Sequence, residues 1–143
     1  MSQFDQEPTY QPPSQQPSGP QPPYGQVAGL SAEDRNLGTI AHVTPLVLML
    51  VSGGLAGFIG SLVVYLYAKD RSPASRQYAA GALNVQIIVS IAAAVSYVLM
   101  LVLIGFITLP IVIIFGLVLH VLGALKANKG ESFDPPLTPK FVS

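Results

Sequence analysis

The chain has 143 residues, of which half are hydrophobic and only 10% are charged, and its formal net charge is zero. A soluble domain carries roughly a quarter charged residues, so this composition excludes an ordinary soluble globular protein. The zero net charge gives no support for nucleic-acid binding. The chain contains no cysteine, which excludes disulfides, thiolate chemistry and cysteine-ligated metals.

Residues 1–30 contain seven prolines and seven glutamines. So few large aliphatic side chains cannot bury enough surface to offset the entropy of ordering, which predicts a disordered cytoplasmic tail. The P-x-x-P spacings within it also fit a docking site for a polyproline-II reader, but a solvated tether is the favoured interpretation.

Two long uncharged runs follow the tail. Residues 37–68 form a run of 32 uncharged residues and residues 77–125 a run of 49. A helix crosses the hydrocarbon core of a bilayer with about 20 residues, so the second run suffices for two crossings. We therefore predict an all-α integral membrane protein built as a four-helix transmembrane bundle.

The first two predicted helices are short. Ser31 and Asp34 have the spacing of a capping box, which predicts helix 1 over residues 32–51 with a kink at Pro45. The Ser-Gly-Gly at 52–54 ends it, and helix 2 follows over residues 55–68. At ~21 Å, helix 2 is shorter than the ~30 Å hydrocarbon core. Helices 1 and 2 therefore form either a thin pair of spans or a re-entrant hairpin.

The last two predicted helices are long. Ser72 followed by Pro73 is a typical helix start, and helix 3 is predicted to continue to Ile104. A turn over residues 105–110 precedes helix 4, which is predicted to begin at Pro110 and to end near Asn128. The chain is thus divided into a tail (1–30), a membrane domain (31–130) and a short polar cytoplasmic tail (131–143).

The basic residues predict the orientation, because positive side chains stay on the cytoplasmic side. They occur before helix 1, between helices 2 and 3, and after helix 4, whereas the turns near residues 53 and 105 are uncharged. Both termini and the central loop are therefore predicted to be cytoplasmic, with the lipid bilayer as a partner of that loop. The basic residues of the loop are Lys69, Arg71 and Arg76.

Three predicted helices carry a polar residue at the same depth. His42, Asn84 and His120 each lie about 8–9 Å below the predicted cytoplasmic surface. We expect them, with Thr44 nearby, to form an interhelical hydrogen-bonded layer, although each could instead reach water or a backbone carbonyl alone. Gln86 lies ~200° around helix 3 from Asn84, so it is predicted to face lipid or a partner chain.

Several classes of chemistry lack the side chains they need. Neither apolar run contains a carboxylate or an amine, which argues against proton-coupled transport and intramembrane aspartyl proteolysis. Two histidines without a third ligand are a weak metal site. We therefore expect no catalytic residue, no cofactor, no metal and no small-molecule substrate, and the protein is predicted not to be an enzyme.

Four stretches carry a family resemblance. They are AHVTPL at 41–46, YAKDRSPASRQYAAGALNVQI at 67–87, LIGFITLP at 103–110 and ALKANKGESFDPPLTPKF at 124–141. Together they resemble a bacterial four-helix family of unknown function that is related to the twenty-kilodalton channel-type subunit of the chloroplast Tic translocon. The resemblance implies a four-helix bundle in a bacterial cell (inner) membrane. Where members often carry a histidine and an acidic residue in the central loop, this chain has Gln77, Tyr78 and Gly81.

Three functions follow as hypotheses. The first is a non-enzymatic scaffold or regulatory subunit that assembles with itself or with another membrane protein, favoured by rows of small residues. The second is a component of protein translocation or membrane insertion, which the resemblance implies. The third, an oligomeric channel or small-solute transporter, is the weakest because the apolar runs contain no charged pathway.

Overall fold

The computed structural model describes residues 30–143 and contains four α-helices in this range. They are α1 (Ala32–Ser52), α2 (Gly57–Ala68), α3 (Pro73–Leu99) and α4 (Gly105–Lys129), with a 3₁₀ turn at Met100–Val102 after α3. No β-strand occurs over residues 30–143. The predicted all-helical fold with four helices is confirmed. The predicted disordered tail lies outside the described residues, apart from Leu30.

The four helices pack as an antiparallel bundle. α1 contacts each of the other three helices, and so does α3, whereas α2 and α4 do not touch each other. α1 and α3 therefore form the centre of the bundle, with α2 on one side and α4 on the other. This places the centre of α3 beside both α1 and α4.

Small side chains allow this close packing. The face of α3 that points into the bundle includes Ala79, Ala82, Ala93 and Ser96, all of which are buried. These positions follow helical spacing, so they form one stripe. Larger side chains fill the space further along the bundle, where Met49, Val85, Val89 and Leu119 form a second apolar cluster.

The boundary between α3 and α4 differs from the prediction. α4 begins at Gly105, so Pro110 lies inside the helix instead of starting it. A side chain at position 105 would collide with the carbonyl oxygen of Ser96, and only glycine permits this turn. Residues 105–109 were expected to be a turn because Pro110 is a typical first-turn residue. α4 tolerates it as an internal proline that lacks one hydrogen bond.

Two α-helices are long and apolar enough to cross a membrane. They are α3 with its 3₁₀ turn (Pro73–Val102) and α4, whereas α2 is a shorter apolar helix. Both long helices expose large aliphatic side chains along their outer faces. Exposing such an apolar surface to water is unfavourable in free energy, whereas contact with the hydrocarbon of a bilayer is not.

Asp34 joins the starts of α1 and α3. Its carboxylate accepts hydrogen bonds from the Ser31 amide at 3.1 Å and the Ser31 hydroxyl at 2.7 Å, which completes the predicted capping box. It also accepts from the hydroxyl of Ser72, the N-cap of α3, and from Ser75 at 2.8 Å. These bonds, chiefly the one from Ser72, lower the pKa of Asp34 from 3.8 to about 2.

We expect the stability of the bundle to fall between pH 3.8 and about 2. A carboxylate whose pKa is depressed by folding stabilises the protein above its unfolded-state pKa, and this contribution is lost as pH falls through the folded-state pKa. Asp34→Asn should remove this particular acid transition and lower stability at neutral pH. Unfolding in detergent, followed by circular dichroism from pH 6 to pH 2, measures both effects; an unchanged acid transition in the variant would contradict the assignment.

Candidate functional site

A chain of buried polar side chains crosses the bundle. Nδ1 of His42 on α1 lies 3.3 Å from Nδ1 of His120 on α4, and Nε2 of His120 lies 2.9 Å from Oε1 of Gln86 on α3. Gln86 Nε2 in turn donates to the carbonyl oxygen of Gly54, in the turn between α1 and α2, at 3.1 Å. The chain therefore connects α1, α4, α3 and the first turn of the bundle.

The Gly54 carbonyl fixes the direction of these hydrogen bonds. A carbonyl only accepts, so the NH₂ group of Gln86 must face Gly54 and its oxygen must face His120. His120 therefore donates from Nε2, and its Nδ1 is left to accept a hydrogen bond from Nδ1–H of His42. His120 is neutral in this arrangement, with its single proton on Nε2. Each donor that these bonds define has an acceptor within the bundle.

Polar side chains form hydrogen bonds with the backbone of the α1–α2 turn. Ser90 donates to the Gly54 carbonyl at 3.4 Å, and the hydroxyl of Tyr97 donates to the Gly53 carbonyl at 2.9 Å. The hydroxyl of Ser52 accepts from the amide of Ala56 at 2.8 Å. These groups lie outside the helical hydrogen-bond pattern, and side chains from α1 and α3 satisfy them. Hydrogen bonds from these side chains therefore replace water at the backbone of the turn.

Two glycines make room for the polar chain. A Cβ atom at Gly123 would collide with the imidazole ring of His42, and one at Gly57 would lie within 2.8 Å of the Gln86 amide oxygen. The rings of His42 and Phe133 also meet edge to face, with centroids 5.8 Å apart. The small residues that the sequence suggested for helix packing therefore serve these polar side chains directly.

The sequence predicted that Gln86 faces lipid or a partner chain, but this prediction is wrong. Its side chain is completely buried, at 0% exposure. The ~200° separation from Asn84 is correct, but the two faces are exchanged. Gln86 belongs to the small-residue stripe of α3, between Ala82 and Ala93, and this spacing is the sequence signal that was missed. The carbonyl of Gly54 lies in a turn, outside the helical hydrogen-bond pattern, and the Gln86 amide supplies it with a donor.

The predicted polar layer is only partly assembled. His42 and His120 are brought together, but Asn84 does not reach either of them. Thr44 lies against α2, where its methyl group would be 3.3 Å from a Cβ at Gly60. Rotation around the helix axis places Asn84 and Thr44 on other faces than the one that meets the two histidines.

Asn84 instead binds the C-terminal segment, residues 131–143. Its Oδ1 accepts from the amides of Phe141 at 3.0 Å and Val142 at 2.9 Å, and its Nδ2 donates to the Val142 carbonyl at 2.9 Å. Arg76 donates to the main-chain oxygen of Ser143 at 2.9 Å. The segment and α3 enclose a cleft of about 430 Å³. This segment was predicted as a short polar tail, and the structure shows that it packs on α3.

Asn84→Ala is expected to release the C-terminal segment. The change removes three hydrogen bonds that hold the backbone of residues 141–142, each worth about 1 kcal/mol. Limited proteolysis in detergent should cut residues 131–143 faster in this variant than in the unchanged protein. Val95→Ala, at an exposed position on the same helix outside this cleft, is the matched control. Equal cleavage rates in the two variants would show that Asn84 does not hold the segment.

Two of the basic residues predicted for the central loop, Lys69 and Arg71, lie between α2 and α3, and Arg76 lies in the first turn of α3. Arg71 pairs with Glu33 at 3.7 Å and stacks on the Tyr67 ring at 4.5 Å, and Lys69 lies 4.0 Å from Asp70. These side chains are exposed, and exposed ion pairs add only about 0–1 kcal/mol. The loop can therefore face lipid headgroups without loss of structure.

The arrangement offers little for metal chemistry. Among residues 30–143, no three histidine, aspartate or glutamate side chains come close enough to share an ion. His42 and His120 would supply two ligands, and a zinc site requires three or four. The polar chain instead joins the helices to one another by hydrogen bonds inside the bundle.

Comparison with known proteins corrects the family resemblance. No curated protein and no solved structure matches the chain. The family whose model matches is MamF/MmsF, described as the magnetosome magnetite crystal formation protein family, and the match covers residues 33–142. The resemblance to the Tic-related family is therefore wrong, and it no longer supports a role in translocation. This match and the apolar helices together indicate a membrane protein. The chain belongs to the MamF/MmsF family.

Proposed function

We propose that this protein is a non-enzymatic structural component of a mineral-forming bacterial membrane, and that it affects crystal formation by assembling within that membrane. The family description supplies the link to magnetite. The assembly is with further copies or with another membrane protein. The observation that carries the mode of action is the distribution of charge along the bundle.

Every charged side chain of residues 30–143 belongs to one end of the bundle. These residues lie at the start of α1, between α2 and α3, in the first turn of α3 (Arg76), or after residue 125. Away from this end, neither the α1–α2 turn nor the α3–α4 turn carries a charge, and the exposed side chains around the α3–α4 turn are mostly apolar, among them Leu101, Ile104 and Phe106. By the positive-inside rule, the charged end faces the cytoplasm, with residues 131–143 on that side.

A direct role in iron binding does not fit this distribution. In a chain without cysteine, histidine and carboxylate side chains are the ligands expected for a non-haem iron site. The end that would face the interior of the compartment has no such ligand in the described part of the chain. The two histidines are bonded to each other inside the bundle. This supports a structural role over transport, templating or catalysis.

Complementation tests the proposal. A magnetite-forming bacterium that lacks its own member of the family would receive this chain, and crystal size would be measured by electron microscopy. We expect the chain to restore crystal size. Failure to do so, with the protein present in the membrane, would overturn the link to mineral formation.

A second variant tests the mode of action. The combined substitution E33Q, D70N and D134N removes exposed acidic groups and leaves Asp34, which is structural, unchanged. We expect this variant to restore crystal size as well as the unchanged chain does. Loss of crystal growth at an equal membrane level would show that carboxylates act on iron, contrary to the proposal.

A further inference from the structure

The two hairpins of the bundle differ in how far they extend from the charged end. Along α3, Gly54 of the first turn is bonded to Gln86 and Ser90. A Cβ at Gly54 would also meet Ala93, which lies about 22 Å along the helix from Tyr78, whose hydroxyl donates to the Glu131 carbonyl at the charged end. α3 and its 3₁₀ turn then continue to Val102, about 14 Å further. The α3–α4 hairpin thus extends well beyond the α1–α2 hairpin.

The exposure of the longer hairpin shows that α1 and α2 do not cover its end. Beyond Tyr97, most large apolar side chains of both helices and of their turn are exposed, and Leu101 is 85% exposed. The small residues Ser96 and Gly105 make the contact between α3 and α4 at this end. The far end therefore consists of two helices, whereas the charged end consists of four and of residues 131–143.

The turn of the shorter, α1–α2 hairpin has the hydrogen bonds that a turn within the hydrocarbon core requires. A bilayer core is about 30 Å thick, so a turn about 22 Å from Tyr78 ends inside it. Non-helical backbone is tolerated at that depth only where protein satisfies its hydrogen bonds. Gln86, Ser90 and Tyr97 do so for the carbonyls of Gly53 and Gly54. This gives the buried amide of Gln86 a reason that helix packing alone does not.

We propose that α1 and α2 form a re-entrant hairpin, so that the protein is a wedge that prefers a bilayer curved with its charged end on the convex side. At a helix diameter of about 10 Å, four helices occupy roughly twice the area of two. The leaflet at the charged end is therefore expanded relative to the other leaflet, which bends the bilayer toward the narrow end. The partner of this surface is lipid, and the inference is independent of the role in mineral formation.

Single cysteines test the re-entrant hairpin, because the chain has no cysteine of its own. Leu55→Cys marks the first turn, and Leu101→Cys marks the far end of the longer hairpin. The full-length variants would be placed in large vesicles and treated with a membrane-impermeant maleimide on both sides. A thiol in hydrocarbon does not ionise and does not react. We expect Leu101→Cys to be labelled and Leu55→Cys to be protected; equal labelling would overturn the proposal.

Vesicle size tests the wedge. Ser132→Cys lies exposed at the charged end and reports orientation by external labelling. The full-length variant would be reconstituted in both orientations into vesicles of graded diameter, made from one phospholipid mixture. The outer leaflet is convex, so we expect the externally labelled fraction to rise as vesicle diameter falls. A labelled fraction that is independent of diameter would overturn the preference for curvature.

Discussion

Replacing Gln86 by leucine is expected to destabilise the bundle by about 1–3 kcal/mol, because it leaves the buried Nε2–H of His120 without an acceptor. It also leaves the carbonyl of Gly54 with only the longer hydrogen bond from Ser90. Leucine has a similar volume, so the loss would come from hydrogen bonding and not from a cavity. Unfolding in mixed micelles, followed by circular dichroism, measures it.

The control for this prediction is Gln77→Leu, at an exposed position on the same helix. A similar stability of the two leucine variants would refute the energetic role of the buried chain. A double-mutant cycle provides a second check. Adding His120→Leu to Gln86→Leu should cost less than the sum of the single changes, because the donor left unpaired by the first substitution is removed by the second.

Gly123→Ala is expected to cost about 1–3 kcal/mol, because the added methyl group meets the ring of His42 inside a packed interface. The ring cannot move without breaking its contact with His120. Melting of the purified protein in detergent measures the loss. The combination with His42→Ala should restore part of it, since the obstructing ring is then absent.

The matched control is Gly81→Ala, on α3. A Cβ there meets a single atom, the carbonyl oxygen of Phe133, at 3.9 Å. Alanine is the better helix former, so this change should be neutral or should stabilise the protein by up to about 1 kcal/mol. Equal losses at positions 81 and 123 would mean that the cost reflects helix packing in general and not the His42 ring.

The loss of stability expected for Gly123→Ala has a functional consequence. If the bundle acts by assembly, the Gly123→Ala protein should reach the membrane at a reduced level and fail to restore crystal size. The E33Q, D70N and D134N variant changes only exposed side chains and should be present at a normal level. The comparison separates loss of the folded protein from loss of surface charge.

The sequence alone predicted the class of protein and the helix ends marked by local signals. Composition and the uncharged runs identified a membrane protein, and Ser31 with Asp34, Ser72 and Gly53 marked helix ends that the structure shows. These features depend on residues within a few positions of each other, or on totals over the chain. Pro110 was misleading, since its local preference for a first turn yields to the contact between Gly105 and Ser96.

Only the tertiary structure decided what the polar residues do. Periodicity established that Asn84 and Gln86 face opposite ways, but it could not tell which face points inward, because that depends on what the rest of the chain places there. The Gly54 carbonyl comes from a turn 32 residues away and the Val142 backbone from a segment 58 residues away. Hydrogen-bond partners so distant in sequence are brought together by the packing of α1 and the C-terminal segment against α3, which no local pattern encodes.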